Sequence, residues 1–431
     1  MLWGGMLQLS IPVRAVAALG VLAAATPGLA KAPLYQWVQY TSTGLEARAI
    51  VEPESLCPAL VIDNKQTGMT ARSEPGPNYP IRVCFASVPL SAKIASLAGK
   101  ALPLPKPHPE RILLVGDTGC RISSGAVQDC NDREAWPFAK GSALEAGLKP
   151  DLVIHLGDFD YREAPCPLNN LGCVGSPFGD KWPVWRQDFF EPARPLLEST
   201  PFIFVRGNHE ECDRGGKGWS RTLDPYPSVS ADGCLSLGEP FAIDLGGPKL
   251  VVMDVASAPE LRASPRLVDV YRKQFRNVAR LAPSGPVWLA LHRPIWASGV
   301  YILGLNIGDN KTLAEAGRND IPANVDALLS GHIHTFQIMS YKEDLPIQIV
   351  SGNGGDELHT SAPSDPVGMV IDGVTVTVGS AAPGIFGFAM LDREPGGWRV
   401  TNYDMNAQPR NICHMNGRKL ICDLRVEAKT K

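Results

Sequence analysis

Residues 151–161 read DLVIHLGDFDY. The first six have the nearly unbroken apolar character of a strand buried on both faces, and the last five turn polar after a glycine, offering two carboxylates and a phenol. That unit belongs to open α/β sheets, which place reactive groups in loops beyond the carboxyl ends of their strands. The pattern recurs on either side of it. RILLV (111–115) runs into GDTG at 116–119, PFIFV (201–205) precedes GNHE at 207–210, VWLAL (287–291) ends in the LALH of 289–292, and VDALLS (325–330), less clearly a strand, precedes GHIH at 331–334.

Together the five loops supply Asp117, Asp158, Tyr161, Asn208, His292, His332 and His334. Seven hard or borderline donors are enough for two adjacent metal ions. Carboxylate and phenolate oxygens suit a trivalent or strongly Lewis-acidic ion, whereas imidazole and an amide oxygen suit divalent Zn, Mn or Fe. Asp158 is placed to bridge both ions, because Tyr161 follows it on the same tight loop. Two ions roughly 3.5–4 Å apart polarise a phosphoryl oxygen and stabilise in-line displacement, so phosphate-ester hydrolysis is the chemistry expected.

Length and composition allow such a fold. The 431 residues, 44% hydrophobic and 20% charged, can bury a large core and accommodate two domains. A formal net charge of −3 provides no general basic face of the kind that replaces counterions on nucleic acid. At the N-terminus, a segment ending in Arg14 is followed by AVAALGVLAAA and by small residues at Gly28, Ala30 and Ala32, the order of an export signal with a cleavage site. The apolar run is too short to span a bilayer. Residues 1–32 are therefore expected to be a signal peptide and the protein to be periplasmic or secreted. Losing Arg14 and Lys31 with that segment takes the net charge from −3 to −5.

All ten cysteines lie beyond the signal. An even count in an exported chain predicts disulfides, and the simplest pairing joins sequence neighbours: Cys57–Cys84, Cys120–Cys130, Cys166–Cys173, Cys212–Cys234 and Cys413–Cys422. Three of those pairs would tie loops that follow metal motifs.

Organisation changes near residue 105. Before it, YQWVQYT, EARAIVE, PALVIDN and IRVCFAS alternate or are β-rich between Pro, Gly and Ser, as in a small antiparallel sandwich, and LPLPKPHPE at 102–110 reads as a stiff linker. After it, strands alternate with helical patterns at 137–148, 184–199 and 265–281. The tail pieces IQIVSG, GVTVTVG, FGFAML and WRVTNYD suggest a second sheet packed on the first. The fold class expected is α/β (α+β).

The five strings resemble the calcineurin-like metallophosphoesterase superfamily and, within it, the purple acid phosphatases. Most of the superfamily carries Asp-x-His in the first motif, whereas here Gly119 stands two residues after Asp117 and Tyr161 fills the GDxxY position. The resemblance implies a metallophosphoesterase β-sandwich flanked by helices over 106–427 and a small N-terminal, fibronectin III-like antiparallel β-sandwich over 33–105. It implies Fe(III) held by Asp117, Asp158, Tyr161 and His334, and a divalent Fe, Zn or Mn held by Asp158, Asn208, His292 and His332. It also gives His209 the role of protonating the leaving alkoxide or stabilising phosphoryl charge.

The substrate implied is a small-molecule phosphate ester, most simply a phosphomonoester at acid pH. Phosphodiester or nucleotide hydrolysis, and a non-catalytic iron-binding role, are the alternatives. Departing from many members, the chain has no further histidine between His292 and His332; Arg293 and Arg214 are the candidate phosphate contacts, with Arg206, Lys217 and Arg221 clustered nearby. His108, His155, His359 and His414 read as exposed or structural, and SGNGGDE at 351–357 as a turn. Oligomeric state is not encoded in any of these patterns.

Overall fold

The computed structural model describes residues 1–5, 32–227, 233–302 and 305–423, excluding the side chains of 300–307. Most of the expected signal segment, residues 6–31, lies outside the described residues, as do residues 424–427 at the expected end of the second domain.

Two mixed sheets stack face to face, one of eleven strands and one of eight. At the centre of the first, Arg111–Val115, Leu152–His155, Phe202–Phe204 and Tyr35–Thr41 run parallel. At the centre of the second, Lys249–Val252, Val287–Ala290, Val325–Ser330 and Ile347–Ser351 also run parallel. Each strand alternates its apolar residues between two cores, as its period of two requires. Ile112, Leu114, Ile154 and Ile203 meet Leu250, Ala290, Leu329 and Ile349 between the sheets. Leu113, Val153, Phe202 and Phe204 instead face a helical layer containing Phe189, Phe190, Leu196 and Leu197. On the far side, Val251, Leu289 and Leu328 pack beneath Val268, Tyr271, Phe275 and Val278 of the helix Pro265–Leu281. The continuous apolar runs in the sequence thus correspond to strands covered on both faces.

The helix expected over 265–281 has those bounds. The one expected over 137–148 spans Phe138–Gly147. The one expected over 184–199 is broken into Trp182–Trp185, a wide turn Arg186–Phe190, and Arg194–Ser199. Pro192 explains the break, since it has no N–H to continue the ladder and crowds the preceding turn.

Two expectations of topology are revised. The N-terminal strands form two antiparallel sheets, but Tyr35–Thr41, Gly44–Val51, Arg82–Val88 and Thr70–Ser73 extend the eleven-stranded sheet, joined to it by the parallel pairing of Gln39 with Phe202. The remaining N-terminal strands form a separate four-stranded sheet built on Ala59–Ile62. The tail pieces also divide. Ile347–Ser351 and Val374–Ala382 lie in the eight-stranded sheet, whereas Gly387–Glu394 and Gly397–Asp404 pair onto Arg111–Val115 in the other. All five neighbour disulfides are formed, as suits an oxidising compartment. Among the described residues no helix is long and apolar enough to cross a membrane.

Candidate metal centre

Because the parallel strands of both sheets point the same way, the five motif loops converge at one end of the sandwich. The first two loops are zipped together, Asp117 N–H donating to Gly157 O at 2.9 Å and Thr118 N–H to Asp158 O at 3.1 Å. Asp117, Asp158 and His332 adopt φ of 57°, 58° and 70°. Left-handed backbone at three non-glycine residues is costly, and such strain collects where surrounding structure fixes a functional geometry. Gly207 and Gly331 are required for the same convergence: a Cβ on either would lie 2.1 Å from Asp158 Oδ1 or 2.5 Å from Asp117 Oδ2.

The seven residues form two overlapping groups. Tyr161 Oη lies 2.9 Å from Asp158 Oδ2, 3.0 Å from Asp117 Oδ1 and 3.2 Å from His334 Nε2. One phenolic proton cannot satisfy three such neighbours, so the cluster matches a ligand shell better than a hydrogen-bond network. His292 Nε2 lies 3.1 Å from both Asp158 Oδ2 and Asn208 Oδ1, and 3.2 Å from His332 Nδ1. Asp158, His292 and His332 bring their ligand atoms within 4.8 Å of one another. Asp158 belongs to both groups.

The other ring nitrogens are occupied. His292 Nδ1 lies 2.7 Å from Leu156 O and His334 Nδ1 2.7 Å from Glu357 O. These carbonyls require N–H at Nδ1, which leaves the Nε2 lone pairs facing the cluster. His332 is oriented the other way, its Nε2 against the Glu260 carboxylate and its Nδ1 inward. The site's titration reflects this crowding of buried charge. Burial, then Asp117 and Asp158, holds the Tyr161 phenol well above its usual range. Burial opposes protonation of His292, but Asp158 outweighs it and pushes the ring up to about 9. His334 is likewise pushed up to about 9 against burial, by Asp356 and Asp117. Such a set is stabilised by positive charge placed among its oxygens.

Gly119 explains the departure in the first motif. A Cβ there would sit 2.7 Å from Phe159 O and 2.9 Å from Tyr161 Cδ2. The space a larger residue would occupy is filled by the phenol ring.

His209 packs over the Tyr161 ring with centroids 3.8 Å apart, and the His209 backbone N–H donates to Asp158 Oδ1 at 2.9 Å. Its Nδ1 lies 3.1 Å from Glu163 Oε1, and Arg214 Nη2 lies 2.8 Å from the same nitrogen. Arg214 also donates to Glu163 Oε1 and Asn208 O. Arg293 is not a free phosphate contact: its guanidinium donates to Ala256 O at 2.8 Å and to Glu260, beside His332. The geometry spends it on the carboxylate that orients His332. Arg206 and Arg221 point elsewhere, to Glu210 O and Leu235 O and to Glu74 O.

Several participants carried no signal of their own in the sequence. Glu210, quoted within GNHE without a role, accepts from the N–H groups of Asp158 (3.0 Å), Phe159 (2.8 Å) and Gly207 (3.0 Å), stitching two motif loops together. Glu260 comes from a loop without local pattern, and Glu163 follows Tyr161 by two residues without a role in the motif. His359, read as structural, stacks on His334 with centroids 4.8 Å apart, and burial followed by His334 lowers its pKa to about 4. By contrast His155 is the core residue expected, its Nε2 3.0 Å from Thr118 Oγ1 and its ring stacked on Phe159.

A family model described as calcineurin-like phosphoesterase matches residues 110–336, more than half of the chain. The chain belongs to the calcineurin-like phosphoesterase family. It is thereby a phosphoester hydrolase, and the convergent donors occupy the region that the family model covers. Its fold is similar to a purple acid phosphatase isolated from yellow lupin (Lupinus luteus) seeds, at 14% identity over 88% of this chain and 74% of that one, with a TM-score of 0.56. It is also similar to PhoD, at 10% identity over 92% and 91% of the two chains and a TM-score of 0.50. At these identities the likeness concerns the fold alone. No curated protein sequence matches.

Proposed function

We propose that the protein is an exported, binuclear, metal-dependent phosphomonoesterase with a tyrosinate-ferric site. The observation that carries this reading is Tyr161 Oη surrounded by Asp117, Asp158 and His334 within 3.2 Å. Those four residues would hold Fe(III), and Asp158, Asn208, His292 and His332 a divalent Fe, Zn or Mn. When bound, the two ions polarise the phosphoryl group and activate a water at acid to neutral pH.

The chain's own residues supply the rest. Glu210 fixes the loop carrying Asp158 to the loop carrying Asn208 through three backbone N–H groups. His209, 4.0 Å from Asp158 Oδ2 and backed by Glu163 and Arg214, is the side chain to hand a proton to the leaving alkoxide oxygen. Arg214 adds a cation beside it. Export rests on the Arg14-led apolar segment together with five disulfides.

Metal analysis and a visible spectrum, combined with assays on aryl phosphate mono- and diesters, test the reading. Iron, a charge-transfer band lost in Tyr161→Phe, and faster monoester turnover are expected. A colourless, active protein with two zinc ions would replace the ferric assignment. Both ions bound without hydrolysis of any ester would favour an iron-binding role.

A further inference from the structure

A cavity of about 550 Å³ adjoins His209, walled by the loop that follows Tyr161 and by the loop that the Cys212–Cys234 disulfide ties behind Asn208. Two of its lining residues, Glu163 and Arg214, are the groups that contact the His209 ring, at 3.1 and 2.8 Å. Arg214 Nη2 also lies 3.0 Å from His209 Nε2, the nitrogen that faces Asp158, so this wall of the cavity reaches the atom that would meet a leaving oxygen. Its other charged walls include Asp180, Asp213 and Lys217, and the remainder is contributed by Asp160, by glycines and by one half-cystine. No aromatic or aliphatic side chain lines it.

That lining excludes some occupants by chemistry. An aryl or nucleoside leaving group needs a stacking face, and an acyl chain needs apolar walls; neither is present. What the cavity offers is carboxylate acceptors interleaved with cationic donors. Asp180 is committed to the backbone N–H groups of Lys217 and Gly218 and to the Tyr79 hydroxyl. Among the described residues, the exposed Asp213 carboxylate and Lys217 ammonium have no side-chain partner, leaving an acceptor and a donor free at the cavity wall. Adjacent hydroxyls, each both donor and acceptor, complement that mixture.

We propose that this cavity is a leaving-group subsite for a hydroxyl-rich alcohol, making phosphate monoesters of sugars or polyols the preferred substrate class. The inference rests on the phosphomonoesterase reading. Asp213 accepts from one hydroxyl and Lys217 donates to a neighbour, so the contact is made in the ground state and acts on KM.

The test compares glycerol phosphate and a hexose phosphate with propyl phosphate, an aryl phosphate and a nucleoside monophosphate, using the metal-loaded enzyme and its D213L/K217L double variant. Both substitutions lie on exposed positions, and metal content checks that the centre is intact. The expected result is a KM about tenfold or more lower for the hydroxyl-rich esters than for propyl phosphate, with that ratio falling towards one in the variant. Equal KM values for the wild type, a ratio unchanged in the variant, or a lower KM for the aryl or nucleoside ester would overturn the subsite. Failure of the wild type to hydrolyse any monoester would overturn the phosphomonoesterase reading itself, and the subsite with it.

Discussion

At the scale of single residues, the centre turns on an exchange between Gly119 and Tyr161. With the position-119 Cβ direction blocked by Phe159 O and the Tyr161 ring, Gly119→Ala forces the phenol or its loop to shift. Overpacking of this kind costs roughly 1–3 kcal/mol. A lower melting temperature together with reduced iron content is expected; an alanine variant with unchanged stability and metal content would refute the steric account. Glu260 offers a second test. Its carboxylate holds His332 Nε2 and is itself gripped by Arg293, while these two partners overcome burial to keep its pKa near 2. Outer partners of this type are worth roughly 10–100-fold in metal affinity. Glu260→Gln should weaken the proposed divalent ion by that order in equilibrium dialysis, while the proposed iron site, to which His332 is not assigned, should keep its metal. Loss of both metals together would point to collapse of the loop instead. The seven donors were legible because each falls in a short string after an apolar run. Glu260 was not, since only folding brings its unpatterned loop to His332, and Glu163, although two residues after Tyr161, carried no mark that it would turn to His209.

At the scale of elements, the helix Phe138–Gly147 carries a liability that its sequence pattern conceals. Glu145 is fully buried, with neither carboxyl oxygen hydrogen-bonded. Burial pushes its pKa from 4.5 up to about 8. The fold therefore keeps the proton that the unfolded chain releases above 4.5. The unfolded state binds fewer protons between those values, so this group's contribution is full below pH 4.5 and falls as pH rises toward 8, by about 1.4 kcal/mol per pH unit at most. In urea unfolding at pH 5 and pH 8, Glu145→Gln should flatten that decline and gain stability relative to wild type at the higher pH. Parallel pH profiles for the two proteins would refute it. The same helix shows what periodicity can and cannot give: its position was readable from spacing, as was that of Pro265–Leu281. The segment 184–199 looked equally helical yet is split at Pro192, because its apolar pattern continues across a residue that the backbone ladder cannot accommodate.

For the whole molecule, the composition change near residue 105 marked a change of strand type, from antiparallel hairpins to parallel units. It did not mark the edge of a sheet, because nothing local in YQWVQYT reveals that its partner lies over 160 residues away at Phe202. The same limit applies to the tail strands, whose apolar alternation fixes that they pair but not with which sheet. The long-range pairing has an energetic consequence. Trp37 and Tyr35 are buried in the helical layer with Phe190 and Phe202, and Arg48, fully buried and paired with Glu46, donates to Thr222 O and Asp224 O, while Gln39 donates to Leu223 O. Removing residues 32–105 would uncover the edge of Phe202–Phe204 and leave those three carbonyls without their partners, at roughly 1–3 kcal/mol for each that stays dry. The carbonyls lie within the segment that the Cys212–Cys234 disulfide closes just after Asn208, so the loss is expected to reach the metal centre. A chain beginning at Lys106 should therefore aggregate or melt well below the full-length protein, with its metal content reduced, as read by size-exclusion chromatography, thermal unfolding and metal analysis. A monomeric fragment that melts cooperatively and retains both metals would show that residues 33–105 are a separable unit, and that the sheet's continuity through Gln39 contributes little.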